Sequence, residues 1–526
     1  MTSPAFNNSL RPLPAVGFAP TVPRLLARAV EAYSEQEYLI TPAGRITFGE
    51  AERRSAELAR QLIGLGAGKG TRIGIVYPSS PEFVVAFLAA ARVGALAVLI
   101  PSTVKGPELR TALRLSDAAI AVAPGRILNR DALSLFEEAV EGLSTAGMRL
   151  FLPSAPSLRH VLIEGAEQRP WSTPLAPPPA EITPELLAHV EAEVHPSDEL
   201  LMLWTSGSAA DPKGVVHTHG AAVRKVAPQV GLGLRPSSPG RVFTTMPLFW
   251  VGGPQSLLGA LYSGAAILCQ ERFDSGEALD LIRRERGDSI VGWRFMMERI
   301  KSDPQWVSDP LDVEPVVVST VSSRGDSPNL GMTETLGLHL PGDNFEYKVV
   351  DPATGLNVAD GEEGEFRVRG LTLMSRIYKR EREETLDRDG YYPTGDKGYI
   401  ENGKIFFTGR YSEIIKTSGA NVSPSEVEKV IGRFPEVETV VVYGRASDRG
   451  QDVVAALSLR PGAVLTGDEV VSRCRAELSG YKVPRIVHVL PPGGIPMLAG
   501  GKPDRRAVRA GSYALPVSGH GQAVRT

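Results

Sequence analysis

The segment ITFGEAERRSAELARQLIGLG opens on a hydroxyl residue, Thr47, with Glu50 three positions on, and then repeats apolar residues at helical spacing up to Gly64 and Gly66. That order predicts an amphipathic helix capped by Thr47 and stopped by glycine. TRIGIVYP reads as a strand. SPEFVVAFLAAARVGALAVLIP divides into a buried helix ending near Gly94 and a buried strand stopped by Pro101. Phe83 to Ile100 has about the length of a short membrane span, but Arg92 and Gly94 interrupt it, which favours the helix–strand reading. Helix, strand, helix, strand predicts right-handed crossover units and mostly parallel sheets. Pro170 to Ala180 (PWSTPLAPPPA) reads as a proline-rich surface connection, and no internal repeat is found.

After Glu346 the period changes to two. EYKVV and GEFRVRG are strands joined through DPATG, and GYIE and KIFFTGR flank Asn402-Gly403, a pair suited to the positive φ angles of a tight hairpin. Past Arg410, SPSEVEKVIGRF predicts a helix with Ser423 as N-cap and Pro424 at its first position; VETVVVYG and VVAALSLR are strands, and GDEVVSRCRAEL is a second helix. The expected architecture is a large α/β N-terminal domain over 1–410, with mostly parallel sheets plus a β-rich subdomain. A small α+β C-terminal domain over 411–512 and a flexible tail over 513–526 follow.

With 526 residues, 42% hydrophobic and 22% charged, the chain has the composition of a folded protein of several structural units. Its 57 basic and 60 acidic residues, net −3, lack the excess needed to hold a nucleic-acid backbone. Residues 411–526 hold 15 Lys/Arg and 11 Asp/Glu, a net of +4, leaving −7 for the rest. A mildly basic small domain suits a polyanionic ligand, and a solvated face would give the same count. Cys269 and Cys474 are too few for a disulfide framework or a four-ligand zinc site. With no basic segment and apolar core at the start of the chain, the expected location is cytoplasmic.

Chemistry shows first in LLMLWTSGSAADPKGVVHTHGAAV, Leu200 to Val223. An apolar strand runs into Thr205, Ser206, Gly207 and Ser208, and Lys213 follows. Small residues let backbone N–H groups approach phosphate oxygens, and the lysine adds a point charge. Pro212 stands where the nucleotidase loop would have its second glycine, so the stretch is a phosphate cradle of another kind. His217 and His219 lie two apart on a strand-like stretch without a third ligand, and read as packing residues.

Five segments occur in a telling order: TSGSAADPKG at Thr205, GMTET at Gly331, YPTGD at Tyr392, GRYSEIIKTSGANVSPSEVE at Gly409 and GGKPDRR at Gly500. In sequence and approximate spacing the chain resembles the adenylate-forming superfamily from about Ala15 to about Arg509. That superfamily includes acyl-CoA and aryl-CoA ligases, adenylation domains of nonribosomal peptide synthetases, and firefly luciferase. The resemblance implies a two-step, AMP-forming reaction: a carboxylate attacks the α-phosphate of ATP and releases pyrophosphate, and a thiol, commonly that of CoA, then displaces AMP. A carboxylate is already nucleophilic at neutral pH, so the first step calls for gathered anions and stabilised charge rather than a general base.

By the same resemblance, Thr205, Ser206, Gly207, Ser208 and Lys213 bind the phosphates, Gly331, Met332 and Thr333 join the ATP site, and Glu334 holds Mg²⁺. Asp396 accepts the ribose hydroxyls, Arg410 lies near them, and Lys502 is the catalytic lysine of the small mobile domain. Ser412 takes the hinge position and Gly419 the acceptor channel. Phe249, Trp250 and Gly252 stand where the family has the wall of its acid pocket, with ordinary core packing equally open for the aromatic pair. Two departures stand out. Leu330 replaces the aromatic residue that usually packs on adenine, and SDPLDVEPVVVSTVSSRGDSPNLGMTET is short for the stretch lining adenine and acid. The leading expectation is an acid:CoA ligase. The alternatives are an adenylating enzyme of a specialised biosynthetic pathway with a carrier-protein thiol or an amine as acceptor, or with an unusual acid such as nitrite.

Overall fold

A computed structural model of the chain describes residues 16–165, 169–205, 212–227, 240–318, 333–336, 345–410, 414–417, 420–448, 450–497 and 503–511. They divide into two compact units, one built from Met1–Ser102, Arg110–Trp204 and Gly214–Gly409, the other from Thr103–Leu109, Thr205–Lys213 and Arg410–Thr526.

In the first unit the helix predicted from Thr47 spans Phe48–Gly64, and the Thr47 side chain accepts the Glu50 N–H at 3.1 Å. It packs on the helix Pro81–Arg92, which is capped by Ser80 and buried at every residue but Glu82. The apolar run therefore crosses the protein core. Arg92, 5% exposed, is tolerated there because Glu52, Ser55 and Glu191 receive its guanidinium. Among the described residues no helix is long and apolar enough to cross a membrane.

Two mostly parallel sheets carry this unit. One has the strand order Arg376–Ile377, Lys213–Thr218, Glu199–Thr205, Leu96–Leu99, Arg72–Ile75, Ile120–Pro124, His160–Glu164, Ser172–Pro174. The other runs Glu314–Val318, Ser289–Trp293, Arg241–Thr244, Ala266–Leu268, Glu37–Ile40, Arg45–Thr47. Its last pair is antiparallel and the others are parallel. The proline-rich stretch after Pro170 is more than a surface connection: Ser172–Pro174 adds a parallel edge strand, and Trp171 is fully buried with its Nε1–H on Glu137 at 3.0 Å. Its prolines suit an edge, where a missing N–H breaks no central ladder.

The β-rich subdomain is an antiparallel sheet of Phe345–Val350, Gly364–Gly370, Tyr392–Glu401 and Lys404–Arg410. Asn402 and Gly403 have φ of 50° and 73°, the turn their pairing predicts. In the second unit the helices Pro424–Ile431 and Gly467–Glu477 pack on the strands Val437–Ser447, Gly450–Leu459 and Ile486–Leu490 around a core including Val427, Val442, Leu457 and Val470. Ser423 stands at the N-cap position, but its hydroxyl pairs with Ser425 instead of capping the helix; Pro424 at the first position supplies the start.

Candidate functional site

Thr333–Thr335 forms a single 3₁₀ turn whose backbone and side chains are fastened from three directions. His217 Nε2 lies 2.7 Å from the Thr333 carbonyl oxygen, Met374 N–H donates to the Glu334 carbonyl at 2.7 Å, and the Tyr392 hydroxyl donates to Glu334 Oε1 at 2.8 Å. A carbonyl only accepts, so His217 carries its proton on Nε2. Its Nδ1 is buried with no hydrogen-bond partner among the described residues. Burial lowers the imidazole pKa to about 4, opposed by the bond to Thr333 and helped by the Lys225 ammonium. Lys225 is itself 1% exposed and lies 5.0 Å from the centre of the Phe345 ring. The short strand Arg376–Ile377 ties this turn to the strand bearing His217, since Ser375 N–H donates to Val216 O at 2.8 Å and Tyr378 N–H to Gly214 O at 2.8 Å.

Tyr392 begins the strand that also holds Asp396. Between them the ladder slips: Pro393 faces Arg367 and Lys397 faces Glu365, so Thr394, Gly395 and Asp396 bulge opposite Phe366. The bulge is stitched by Thr394, whose hydroxyl donates to Phe366 O at 2.7 Å and accepts the Asp396 N–H at 3.0 Å. Gly395 sits at φ 69°, the left-handed region that favours glycine, and its N–H reaches Glu365 Oε1 at 3.2 Å. Bulges re-aim side chains beside functional sites. Here one places Asp396, 4% exposed, on the strand whose first residue grips Glu334.

Phe249 and Trp250 meet edge to face, with ring centres 5.8 Å apart at 86°. Phe249 belongs to the main core and Trp250 is half-buried against it, just before the helix Gly252–Ser263. Leu248 N–H is held by the Ser79 hydroxyl at 3.1 Å. A side chain on Gly253 would place Cβ 2.3 Å from Leu248 Cα and its carbonyl oxygen, so this turn closes only on glycine.

Thr205 ends the strand Glu199–Thr205 and Lys213 begins the strand Lys213–Thr218, both half-buried. Arg410 ends the strand Lys404–Arg410. Ser206, Gly207, Ser208, Leu330, Gly331, Met332, Ser412, Gly419 and Lys502 lie outside the described residues. The two histidines do not share one strand: it stops at Thr218, and His219 opens the helix His219–Val226. His219 Nδ1 accepts the Val22 N–H at 3.2 Å, and burial lowers its pKa to about 3. Both are packing residues, as expected, but His217 also fastens the Thr333 turn. The grip of Tyr392 on Glu334 was not anticipated. Its only signal in the sequence was the place of Tyr392 at the head of YPTGD.

The family model for AMP-binding enzymes matches residues 26–314, more than half the chain, and that for the AMP-binding enzyme C-terminal domain matches 426–502. The chain belongs to this family, as an ATP-dependent, AMP-forming enzyme of acyl-CoA-ligase type. It is 27% identical over 508 residues to 4-coumarate–CoA ligase 3 of Oryza sativa subsp. japonica, covering 88% of this chain and 87% of that one. It is 26% identical over 502 residues to indoleacetate–CoA ligase of Aromatoleum aromaticum, covering 89% and 93%. The solved structure of the amide bond synthetase McbA from Marinactinospora thermotolerans shares the fold with a TM-score of 0.77 at 23% identity, over 93% of this chain and 99% of that one.

Proposed function

We propose that the enzyme activates a carboxylic acid with ATP and transfers the acyl group to the thiol of CoA. The observation that supports this most is the buried Glu334 carboxylate, set by three hydrogen bonds on its turn and followed along the adjoining strand by Asp396. In the first step an acid oxygen attacks the α-phosphorus of ATP and the bond to the β-phosphate breaks, giving acyl-adenylate and pyrophosphate. In the second a thiolate attacks the acyl carbon, and AMP leaves with the electron pair of the broken carbon–oxygen bond of the mixed anhydride. Thr205, Ser206, Gly207, Ser208 and Lys213 would gather the phosphates, with Gly331, Met332 and Thr333 beside them. Asp396, an acceptor-only group, matches the two ribose hydroxyls, and Arg410 would lie near them.

Glu334 fits a hard divalent cation, because a carboxylate oxygen is the donor Mg²⁺ takes and substrate phosphates complete its ligands. Bound Mg²⁺ would neutralise phosphate charge. Lys502, on the small domain proposed for 411–512, would stabilise charge on the α-phosphate and the acid. Ser412 takes the hinge position, Gly419 the acceptor channel, and Phe249, Trp250 and Gly252 the acid pocket. The short stretch SDPLDVEPVVVSTVSSRGDSPNLGMTET leaves room for a second reading in which an unusual acid is activated, and the likeness in fold to an amide bond synthetase keeps an amine or a carrier-protein thiol as the alternative acceptor. Acid-dependent pyrophosphate exchange across a panel of acids, with CoA-dependent AMP release alongside, tests both. Exchange without any CoA-dependent release transfers the case to the second reading, and no exchange with any acid overturns the first step.

A further inference from the structure

We propose that Tyr392 is a positioning residue that presents Glu334 to its divalent cation through a single carboxylate oxygen, and so favours Mg²⁺ over Ca²⁺. This rests on the reading that Glu334 is the metal ligand. Tyr392 and Glu334 are each 8% exposed, and the phenol already occupies Oε1 at 2.8 Å. Among the described residues no hydrogen bond is made to Oε2, which is left for a ligand. Neither partner is free to swing. Tyr392 pairs across the ladder with Val368 of the strand Gly364–Gly370 and packs among Val215, Val368, Met374 and Ile377. Glu334 is held at its own carbonyl by Met374 and at the preceding one by His217.

A carboxylate oxygen that accepts a phenol hydrogen bond has one of its two lone pairs engaged and is the weaker metal donor, which leaves Oε2 the better placed of the two. Mg²⁺ takes six oxygens in near-ideal octahedral geometry and accepts one oxygen per carboxylate, whereas Ca²⁺ takes six to eight and often uses both. The hydroxyl thus turns an ambivalent ligand into one suited to the smaller ion.

The test is calorimetric binding of ATP to the full-length protein without acid, titrating MgCl₂ or CaCl₂, together with thermal unfolding. The wild type should half-saturate at lower Mg²⁺ than Ca²⁺. Tyr392→Phe should keep its melting temperature within a few degrees and lose about tenfold in the Ca²⁺-to-Mg²⁺ ratio, the scale of one hydrogen bond to a charged group. Glu334→Gln should erase metal discrimination with or without Tyr392→Phe. An unchanged ratio in Tyr392→Phe while Glu334→Gln abolishes it overturns the role of Tyr392 alone. Wild-type binding that is equal with both ions overturns it without recourse to any variant. A Glu334→Gln protein that binds metal and ATP as the wild type does overturns instead the assignment of Glu334 on which the proposal stands.

Discussion

The buried imidazoles of His217 and His219 make the fold acid-sensitive in a way that can be measured. Burial is the first cause for both: it lowers their pKa values to about 4 and about 3, from 6.5 in an exposed chain. Geometry agrees, since His219 Nδ1 accepts a backbone N–H and could not do so once protonated, and a proton on His217 Nδ1 would find no partner among the described residues. A folded-state pKa below the unfolded one means the fold favours the neutral ring. The stabilisation is present above pH 6.5 and is lost as pH falls toward 4 and 3. Between pH 8 and pH 5 each ring forfeits about 2 kcal/mol, and the pair about 4 kcal/mol. That is a large share of the roughly 5–15 kcal/mol typical of a native protein. His217→Gln supplies an amide donor for the Thr333 carbonyl without titrating, and His219→Asn supplies an acceptor for Val22. Urea unfolding by tryptophan fluorescence at both pH values, with hydrogen exchange over residues 213–226 as a local probe, should show each variant losing about 2 kcal/mol less than the wild type on acidification. The reasoning is refuted if the wild type is as stable at pH 5 as at pH 8, or if both variants lose as much as it does.

Lys502→Ala should lower acid-dependent pyrophosphate exchange about 100-fold, the scale of one lost electrostatic stabiliser, while sparing thioester formation from supplied acyl-adenylate; equal loss of both half-reactions removes that role. On the proposed placing of Gly419 in a channel for CoA, Gly419→Leu should stall transfer to CoA and leave pyrophosphate exchange intact, because leucine would fill the space proposed for the pantetheine arm. Full turnover with the native acceptor would favour a small nucleophile instead. Gly253→Ala forces a Cβ to within 2.3 Å of Leu248 backbone atoms and should destabilise by about 2 kcal/mol, read as a lower melting temperature; an unchanged one would mean the turn has slack.

Local signals were legible along the chain because they are carried by neighbours in sequence. Thr47 caps its helix on Glu50, Gly94 follows the buried helix at φ 68°, and Asn402-Gly403 turns the hairpin, each through a contact or a φ angle internal to a few residues. The same holds for the ordered motifs by which the chain resembles its family, each a run of a few neighbouring residues. Which strands lie side by side was not legible, since a period of two tells which face a residue takes but not which strand it meets. The two-residue strand Arg376–Ile377 is too short to show any period, yet it joins the strand of His217 to the turn of Glu334. Trp171 and its edge strand were hidden by surrounding prolines, and His217 and Thr333 stand 116 positions apart. Tyr392 and Glu334 stand 58 apart. A hydrogen bond across such a separation leaves no mark in local composition, because its donor and acceptor are matched only after both segments have packed into one core.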